Sequence, residues 1–414
     1  MGAVGVERVI KYAKYLPEYG WEPIVLTGSK SSHGFRKDLE LAKDVEGVTT
    51  LKCAAPDLFS LFSKVTSLLK PRPESDAAYE KRLYKPRGPW HPKSLIIPDS
   101  QFMWTVPAVW TALRNAKKYN WDAVYATLSP PTNMLVAYLI AKLLRLPLLI
   151  DYRDPWTDAF FSPKRLKPLA TLERKLEARM FAAAGAVTAL DPVCLRTPLR
   201  EARRTPPTRI IPNGYDDDDF DCEPIQLPRW SIVHTGNLHA DRSLTEAWSV
   251  IRESLRLRPD LEMHFWQLGT VDEFVMNQLE NPPDGLKVHY VPPVPMQEAI
   301  QYMLGADLLI VMSYDSRGKL QNTPAKIYQY LRANRPILAL CDDEAVGLRE
   351  TAQDANRYCC CPTQDHTTAA EFIVRQFGPD RAPMPPIGSD IEKYSRRQQT
   401  GQLAEMLMTA LNSS

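Results

Sequence analysis

The sequence contains two cationic side chains and the predicted start of a helix, which together can bind a multiply charged anion. Arg242 carries a planar guanidinium that can bind two phosphate oxygens at once. An apolar helical pattern begins near Pro324, and the dipole and unpaired N–H groups of a helix start attract anions. Lys326 lies in the same turn, where it either adds a second contact or faces solvent. These residue types favour stabilisation of negative charge, and the structural alternative for Arg242 is an ordinary surface arginine.

Asp154 is the side chain best suited to move a proton. It lies just after a predicted buried strand over 148–151, beside Arg153 and near Trp156. A carboxylate at the end of a strand can orient a hydroxyl group or accept its proton. The structural alternative is a helix cap or an ion-pair partner of Arg153, and the sequence leaves both open.

Short apolar strands alternate with amphipathic helices along the chain, which predicts parallel sheets covered by helices on both faces. In the first half the predicted helices cover 6–19, 106–118, 133–144 and 166–183, and the predicted strands cover 23–26, 122–126, 148–151, 186–190 and 208–211. In the second half the predicted helices cover 244–257, 272–279, 296–304 and 324–333, and the predicted strands cover 230–234, 262–267, 288–291, 308–312 and 336–340. The fold class expected is α/β, with two Rossmann-like, doubly wound domains.

The domain boundaries follow from composition. We expect a first domain over 1–224, a second over 225–393, and a last helix over 394–414 that returns to the first domain. Acidic residues and prolines around 216–228 mark the first boundary. Ligands of open parallel sheets bind outside the carboxyl ends of the strands, which predicts a site in a cleft between two facing domains.

Composition argues against several classes of protein. A chain of 414 residues exceeds one ordinary core, and a formal net charge of +2 does not favour a nucleic-acid partner. Seven cysteines without a paired metal or redox spacing, and the lack of a secretory signal, predict a cytoplasmic location. The basic stretch 64–93 fits either peripheral contact with an anionic membrane, at its inner face, or a solvated insertion.

The first five residues form a glycine-rich segment that leads straight into the first predicted helix. An open doubly wound sheet needs a central strand in front of such a loop. We therefore expect a strand to have been lost from the start of this sequence, by truncation or by a mis-assigned start.

Several segments, in order along the chain, resemble the retaining family 4 glycosyltransferases of the GT-B fold. On the side of the first domain they are Gly2–Arg8, Ile97–Ser100, Asp151–Trp156 and Ile211–Asp216. On the side of the second domain they are Thr235–Leu238, Arg242 and Pro324–Leu331. Each segment is short, but their order and spacing are much more specific than any one of them.

The resemblance implies transfer of a sugar from a nucleotide diphosphate sugar to a carbohydrate or lipid-linked acceptor, with retention of configuration, in surface polysaccharide assembly. No cofactor and no metal are implied besides this co-substrate. Asp154 and Arg242 are the implied catalytic residues. The donor-binding residues implied are Gly236, Asn237, Arg242, Pro324, Lys326 and Gln329, and those on the acceptor side are Gly2, Gly5, Arg153 and Trp156.

One departure from the family pattern keeps other functions open. Many members carry two glutamates where this chain has Gln321 and Gln329. An amide can still bond a ribose, but it lacks the strength of a charged hydrogen bond. A catalytically weak or inactive binding protein is therefore one alternative. A sugar-nucleotide epimerase of the same fold is the other, although the missing glutamates do not favour it.

Overall fold

The computed structural model describes residues 4–29, 43–56, 92–157, 164–240, 242–313, 323–342, 346–353, 358–379, 381, 384, 387–388 and 390–413. The chain divides into two compact units. The first unit contains the residues up to 212 together with 399–414, and the second contains 213–398. The division thus falls at 212, rather than at the expected 224. Most of the basic stretch 64–93 lies outside the described residues.

The first unit alternates strands and helices. Its strands are β1 (Ile24–Gly28), β2 (Thr49–Cys53), β3 (Val124–Leu128), β4 (Leu148–Tyr152), β5 (Ala186–Ala189) and β6 (Thr208–Ile210). Its helices are α1 (Val4–Tyr15), α2 (Pro92–Leu95), α3 (Thr105–Tyr119), α4 (Pro131–Leu144), α5 (Lys167–Ala183) and α6 (Arg196–Glu201). All strand pairs in this unit are parallel, in the orders β1-β2 and β3-β4-β5-β6.

The second unit has the same alternation of strands and helices, built around one larger sheet. Its strands are β7 (Ser231–Thr235), β8 (Met263–Leu268), β9 (Leu286–Val291), β10 (Leu308–Ser313), β11 (Ile337–Cys341) and β12 (Tyr358–Pro362). Its helices are α7 (Thr245–Leu257), α8 (Glu273–Glu280), α9 (Met296–Gly305), α10 (Lys326–Ala333), α11 (Val346–Gln353) and α12 (His366–Phe377). The strands are parallel in the order β12-β11-β10-β7-β8-β9. The predicted α/β class with parallel sheets is confirmed.

Burial explains why these strands form. Every residue of β4, β7, β10 and β11 is buried, as expected for strands covered by helices on both faces. The core of the second unit accordingly lies in two layers, one on each face of its sheet. Ile232 and Phe265 belong to one layer, and Val233 and Leu268 to the other.

The final helix, α13 (Arg396–Asn412), contributes to the core of the first unit. Its residues Leu403 and Leu407 pack in one cluster with Tyr12 of α1 and Leu149 of β4. At Gly185 the helix comes so close that a Cβ atom there would lie 2.9 Å from the backbone oxygen of Ala410. The end of the chain is thus part of the first unit, rather than an appendage.

A buried ion pair ties α1 to the sheet of the first unit. The guanidinium of Arg8 donates from Nε and Nη2 to the two carboxylate oxygens of Asp151, at 2.9 and 3.0 Å. Thr188 and Tyr125 donate to the same carboxylate from the neighbouring strands. Burial alone would raise the pKa of Asp151, but the charge and hydrogen bonds of Arg8 hold it below its usual value. Both side chains are fully buried, so each charge depends on the other.

Replacement of Arg8 by methionine tests this dependence. The variant leaves the Asp151 carboxylate buried without its cation, which should lower the free energy of unfolding by about 3–5 kcal/mol. The control is Arg209→Ala, which breaks the exposed ion pair with Glu405 and should change stability by no more than about 1 kcal/mol. Urea denaturation of both variants measures their free energies of unfolding. Equal losses of stability would show that the buried pair contributes no more than the exposed one.

Candidate functional site

In the second unit, the loop after β7 begins with Gly236, whose φ of +119° favours glycine. Its N–H donates to the oxygen of Leu268 at 2.7 Å, which holds the loop against the end of β8. A Cβ atom at Gly236 would lie only 2.9 Å from Nζ of Lys326. The missing side chain is therefore what allows an ammonium group to approach the backbone here.

Lys326 is the first residue of α10, and its ammonium points back to β7. Its Nζ lies 2.8 Å from Nε2 of His234, a buried residue of β7. On the other side of the ring, Nδ1 of His234 lies 2.7 Å from Oε1 of Gln267. Gln267 is the direct neighbour of His234 on β8 in the pairing register. The sequence pattern indicates Lys326 but not this chain of contacts behind it, which depends on the register of β7 and β8.

Positive charge accumulates at this place. Lys326 keeps some solvent exposure, but its ammonium is surrounded by protein. Desolvation, with a further contribution from the charge of Arg242, lowers the pKa of Lys326 to about 7. Desolvation and the charges of Lys326 and Arg242 likewise hold the pKa of His234 well below its usual value. An anion placed here would relieve the repulsion between the two cations.

Arg242 and Asn237 belong to the segment that leads from β7 to α7. The N–H of Arg242 donates to the oxygen of His239 at 2.8 Å, which closes a turn. The side-chain oxygen of Asn237 accepts a hydrogen bond from the N–H of Thr270 at 3.1 Å and so joins this segment to the loop after β8. The structure brings Gly236, Arg242 and Lys326 together and shows Asn237 holding the loop.

The other residues predicted for donor binding lie at the start of α10 and within it. Pro324 precedes the helix, which begins two residues later than expected, and its oxygen accepts from the N–H of Ile327 at 3.1 Å. Gln329 is buried, and its amide nitrogen lies 3.3 Å from the sulfur of Met296. Gln321 lies outside the described residues.

The residues predicted for the first unit gather near the carboxyl end of β4. Arg153 donates from Nε and Nη2 to the backbone oxygens of Leu128 and Ser129, at 3.1 and 2.6 Å. Desolvation raises the pKa of Asp154, and the charge of Arg153 opposes this rise only in part. A carboxylate with a raised pKa at a strand end fits the exchange of a proton with a hydroxyl group.

Two predicted residues of the first unit, Trp156 and Gly5, have other positions than expected. Trp156 is only 4% exposed and packs in the core, where its N–H donates to Glu173 at 3.0 Å. Its ring therefore offers no surface to an acceptor in this arrangement. Gly5 lies in the first turn of α1 and not in a loop. Gly2 lies outside the described residues.

Asp99 of the Ile97–Ser100 motif, and Arg165, which lies outside every motif, help to build the first unit. Asp99 accepts hydrogen bonds from the N–H groups of Gln101 and Thr132, both at 2.7 Å, and so anchors the first turn of α4. Arg165 binds Glu173 and also donates to the oxygens of Ser94, Ile96 and Pro98. The bond from Thr132 to Asp99 and the bonds from Arg165 to the 94–98 segment join parts of the chain that are far apart in sequence, so no local sequence pattern indicates them.

Comparison with solved structures defines the class of fold as GT-B. HepE from Anabaena, solved in complex with UDP, has a TM-score of 0.58 at 12% identity, covering 98% of this chain and 96% of its own. A glycosyltransferase from Rickettsia africae has a TM-score of 0.56 at 14% identity, covering 100% and 93%. Sucrose-phosphate synthase from Thermosynechococcus elongatus has a TM-score of 0.51 at 15% identity, covering 98% and 90%.

The family follows from the sequence itself. The model of Glycosyltransferase Family 4 matches residues 4–219, more than half of the chain. The protein belongs to this family, as the resemblance of its motifs indicated. No match was found among curated protein sequences. Among the described residues, no helix combines the length and the apolar character needed to cross a membrane.

Proposed function

We propose that this protein transfers a sugar from a nucleoside diphosphate sugar to a hydroxyl group of a carbohydrate or lipid-linked acceptor. The observation that carries the proposal is the cluster at Gly236, where the desolvated ammonium of Lys326 lies within the influence of the charge of Arg242. A diphosphate has the charge and the size to bind both cations. Membership of glycosyltransferase family 4 supports this use of the cluster.

The cluster would act on the leaving group. When the bond from the sugar to the diphosphate breaks, negative charge grows on a phosphate oxygen, and cations already in place stabilise it without reorganisation. The guanidinium of Arg242 can hold two oxygens, and the ammonium of Lys326 a third. The N-terminus of α10 adds the positive end of its helix dipole at the same place. This chemistry needs no metal ion.

Asp154 is our candidate for the acceptor side. Its raised pKa keeps it closer to neutrality than an exposed aspartate, so it suits proton exchange with an acceptor hydroxyl. Arg153, bound to backbone oxygens, would hold the segment in place. We further propose, on the resemblance to the retaining members, that the sugar keeps its configuration and that the reaction serves surface polysaccharide assembly in the cytoplasm, at the membrane face.

Uridine nucleotides are the first donors to test, because the Anabaena protein of the same fold was solved with UDP. Replacement of Arg242 by alanine should weaken UDP binding about 10- to 100-fold, the value of one or two hydrogen bonds to a charged group. Isothermal titration calorimetry measures this change. Arg258→Ala, which removes a guanidinium that binds Asp260 in the same unit, is the control and should leave binding unchanged. Equal affinities for wild type and Arg242→Ala would remove Arg242 from the site.

The same proteins separate an enzyme from a binding protein. With a panel of nucleotide sugars, release of the nucleoside diphosphate by the wild type, lost in Asp154→Asn, supports the transferase. Binding without release supports the inactive alternative, which the neutral and buried Gln329 favours. Neither binding nor release with any donor of the panel would overturn the proposed function.

We also propose that a strand preceding Val4 completes the sheet of the first unit. Among the described residues, β1 and β3 are the end strands of two parallel sheets. Leu26 of β1 and Val124 of β3 nevertheless pack against one cluster that includes Ala108 and Ala112 of α3. One added strand would pair with both and give the order of an open doubly wound sheet.

Translation of the codons that precede Met1 in the gene tests this proposal. The extended protein should melt at a higher temperature than the present chain. Its amide groups in Ile24–Gly28 and Val124–Leu128 should exchange hydrogen more slowly, because a paired strand protects them. A stop codon, or an extension that changes neither quantity, would show that the sheet ends at these two strands.

A further inference from the structure

Lys326 rests against two buried side chains to which the proposed function gives no role. Behind it, the amide nitrogen of Gln267 donates to the backbone oxygens of Gly236 and Leu268, at 2.8 and 3.2 Å. An amide nitrogen can only donate, so these two carbonyls determine which end of the amide faces which way. The oxygen of Gln267 is therefore the atom turned towards His234.

This orientation fixes the tautomer of His234. The amide oxygen can only accept, so Nδ1, 2.7 Å away, carries the ring proton. The lowered pKa of His234 keeps the ring neutral at physiological pH, which leaves a lone pair on Nε2. The ammonium of Lys326 donates to that lone pair at 2.8 Å. A chain of oriented hydrogen bonds thus runs from the backbone of Gly236 to Nζ of Lys326.

A neutral acceptor has a specific advantage over a carboxylate at this place. A carboxylate would hold the ammonium but would also cancel its charge. A neutral imidazole orients the ammonium and leaves its charge available to a ligand. A lysine side chain carries about 2 kcal/mol of rotamer entropy, and fixing it before the ligand arrives removes that cost from binding.

We propose that His234 and Gln267 are positioning residues, which aim the ammonium of Lys326 at the diphosphate of the donor. The inference rests on the proposed function, because it assumes that a diphosphate binds at Gly236. It predicts that His234 and Gln267 affect binding only through Lys326, and not by a contact of their own.

The charge of Lys326 makes the pH dependence of binding a second readout. Among the described residues, Arg242 and His234 are the charged and titratable groups that act on the ammonium. With its pKa lowered to about 7, Lys326 is charged below pH 7 and loses its charge as the pH rises. A diphosphate binds the charged form, so the affinity for UDP should fall by up to about tenfold for each pH unit above 7. Lys326→Arg should remove this fall, since a guanidinium stays charged.

A double-mutant cycle with UDP as the probe tests the proposal at pH 6.5 or below, where Lys326 is mostly charged. His234→Phe should weaken UDP binding about tenfold in the wild-type background, the value of one hydrogen bond to a charged group. In the Lys326→Met background the same change should have no effect. Gln267→Met, which frees the imidazole to adopt either tautomer, should follow the same pattern with a smaller loss and serves if His234→Phe does not fold.

The control is His264→Phe, which replaces a buried histidine of β8 that contacts His289 and should leave UDP binding unchanged. An equal loss from His234→Phe in both backgrounds would mean a general structural role and would overturn the proposal. A pH dependence that persists in Lys326→Arg would also overturn it. If Arg242→Ala weakens binding and His234→Phe does not, the proposed function stands and only this inference fails. If the wild type binds neither UDP nor GDP, both fail.

Discussion

The desolvation of the Lys326 ammonium, reinforced by the nearby charge of Arg242, is the constraint on which the account of the second unit depends. Protein surrounds the ammonium, and among the described residues no carboxylate pairs with it. Such an arrangement is unfavourable until an anion arrives, and the surrounding structure must maintain it. Gly236 makes room for the ammonium, and the ordered end of β7 supplies its acceptor. The cost in stability is the source of the affinity expected for a diphosphate.

The first unit shows the opposite use of a buried cation. Arg8 is fully buried, but Asp151 neutralises it through two hydrogen bonds, and Thr188 and Tyr125 donate to the same carboxylate. A buried ion pair of this kind holds α1 on the sheet, and it leaves no net charge that could bind a ligand. Whether a buried charge is neutralised by an opposite charge within the protein thus separates a structural from a functional role. By this criterion Lys326 belongs to a site and Arg8 to the scaffold.

The sequence predicted the strands covered on both faces, such as 148–151, because uninterrupted apolar runs identify them. It missed β2, a strand of five residues with only two apolar ones, Leu51 and Cys53, in which Thr50 and Lys52 are exposed. It also pointed to Lys326, since a lysine at a helix start has a recognisable chemistry. The sequence pattern could not predict the contact between His234 and Gln267, because the two residues become neighbours only through the register of β7 and β8. Likewise, only the folded structure reveals that the indole N–H of Trp156 is already hydrogen-bonded to Glu173 in the core.

A crystal structure of the protein with UDP tests the central claim most directly. The account predicts diphosphate oxygens within hydrogen-bonding distance of the guanidinium of Arg242 and the ammonium of Lys326, over the backbone of Gly236. The contact between Lys326 and His234 should persist in that complex. A diphosphate bound elsewhere, with Lys326 still surrounded by protein and unligated, would contradict the account.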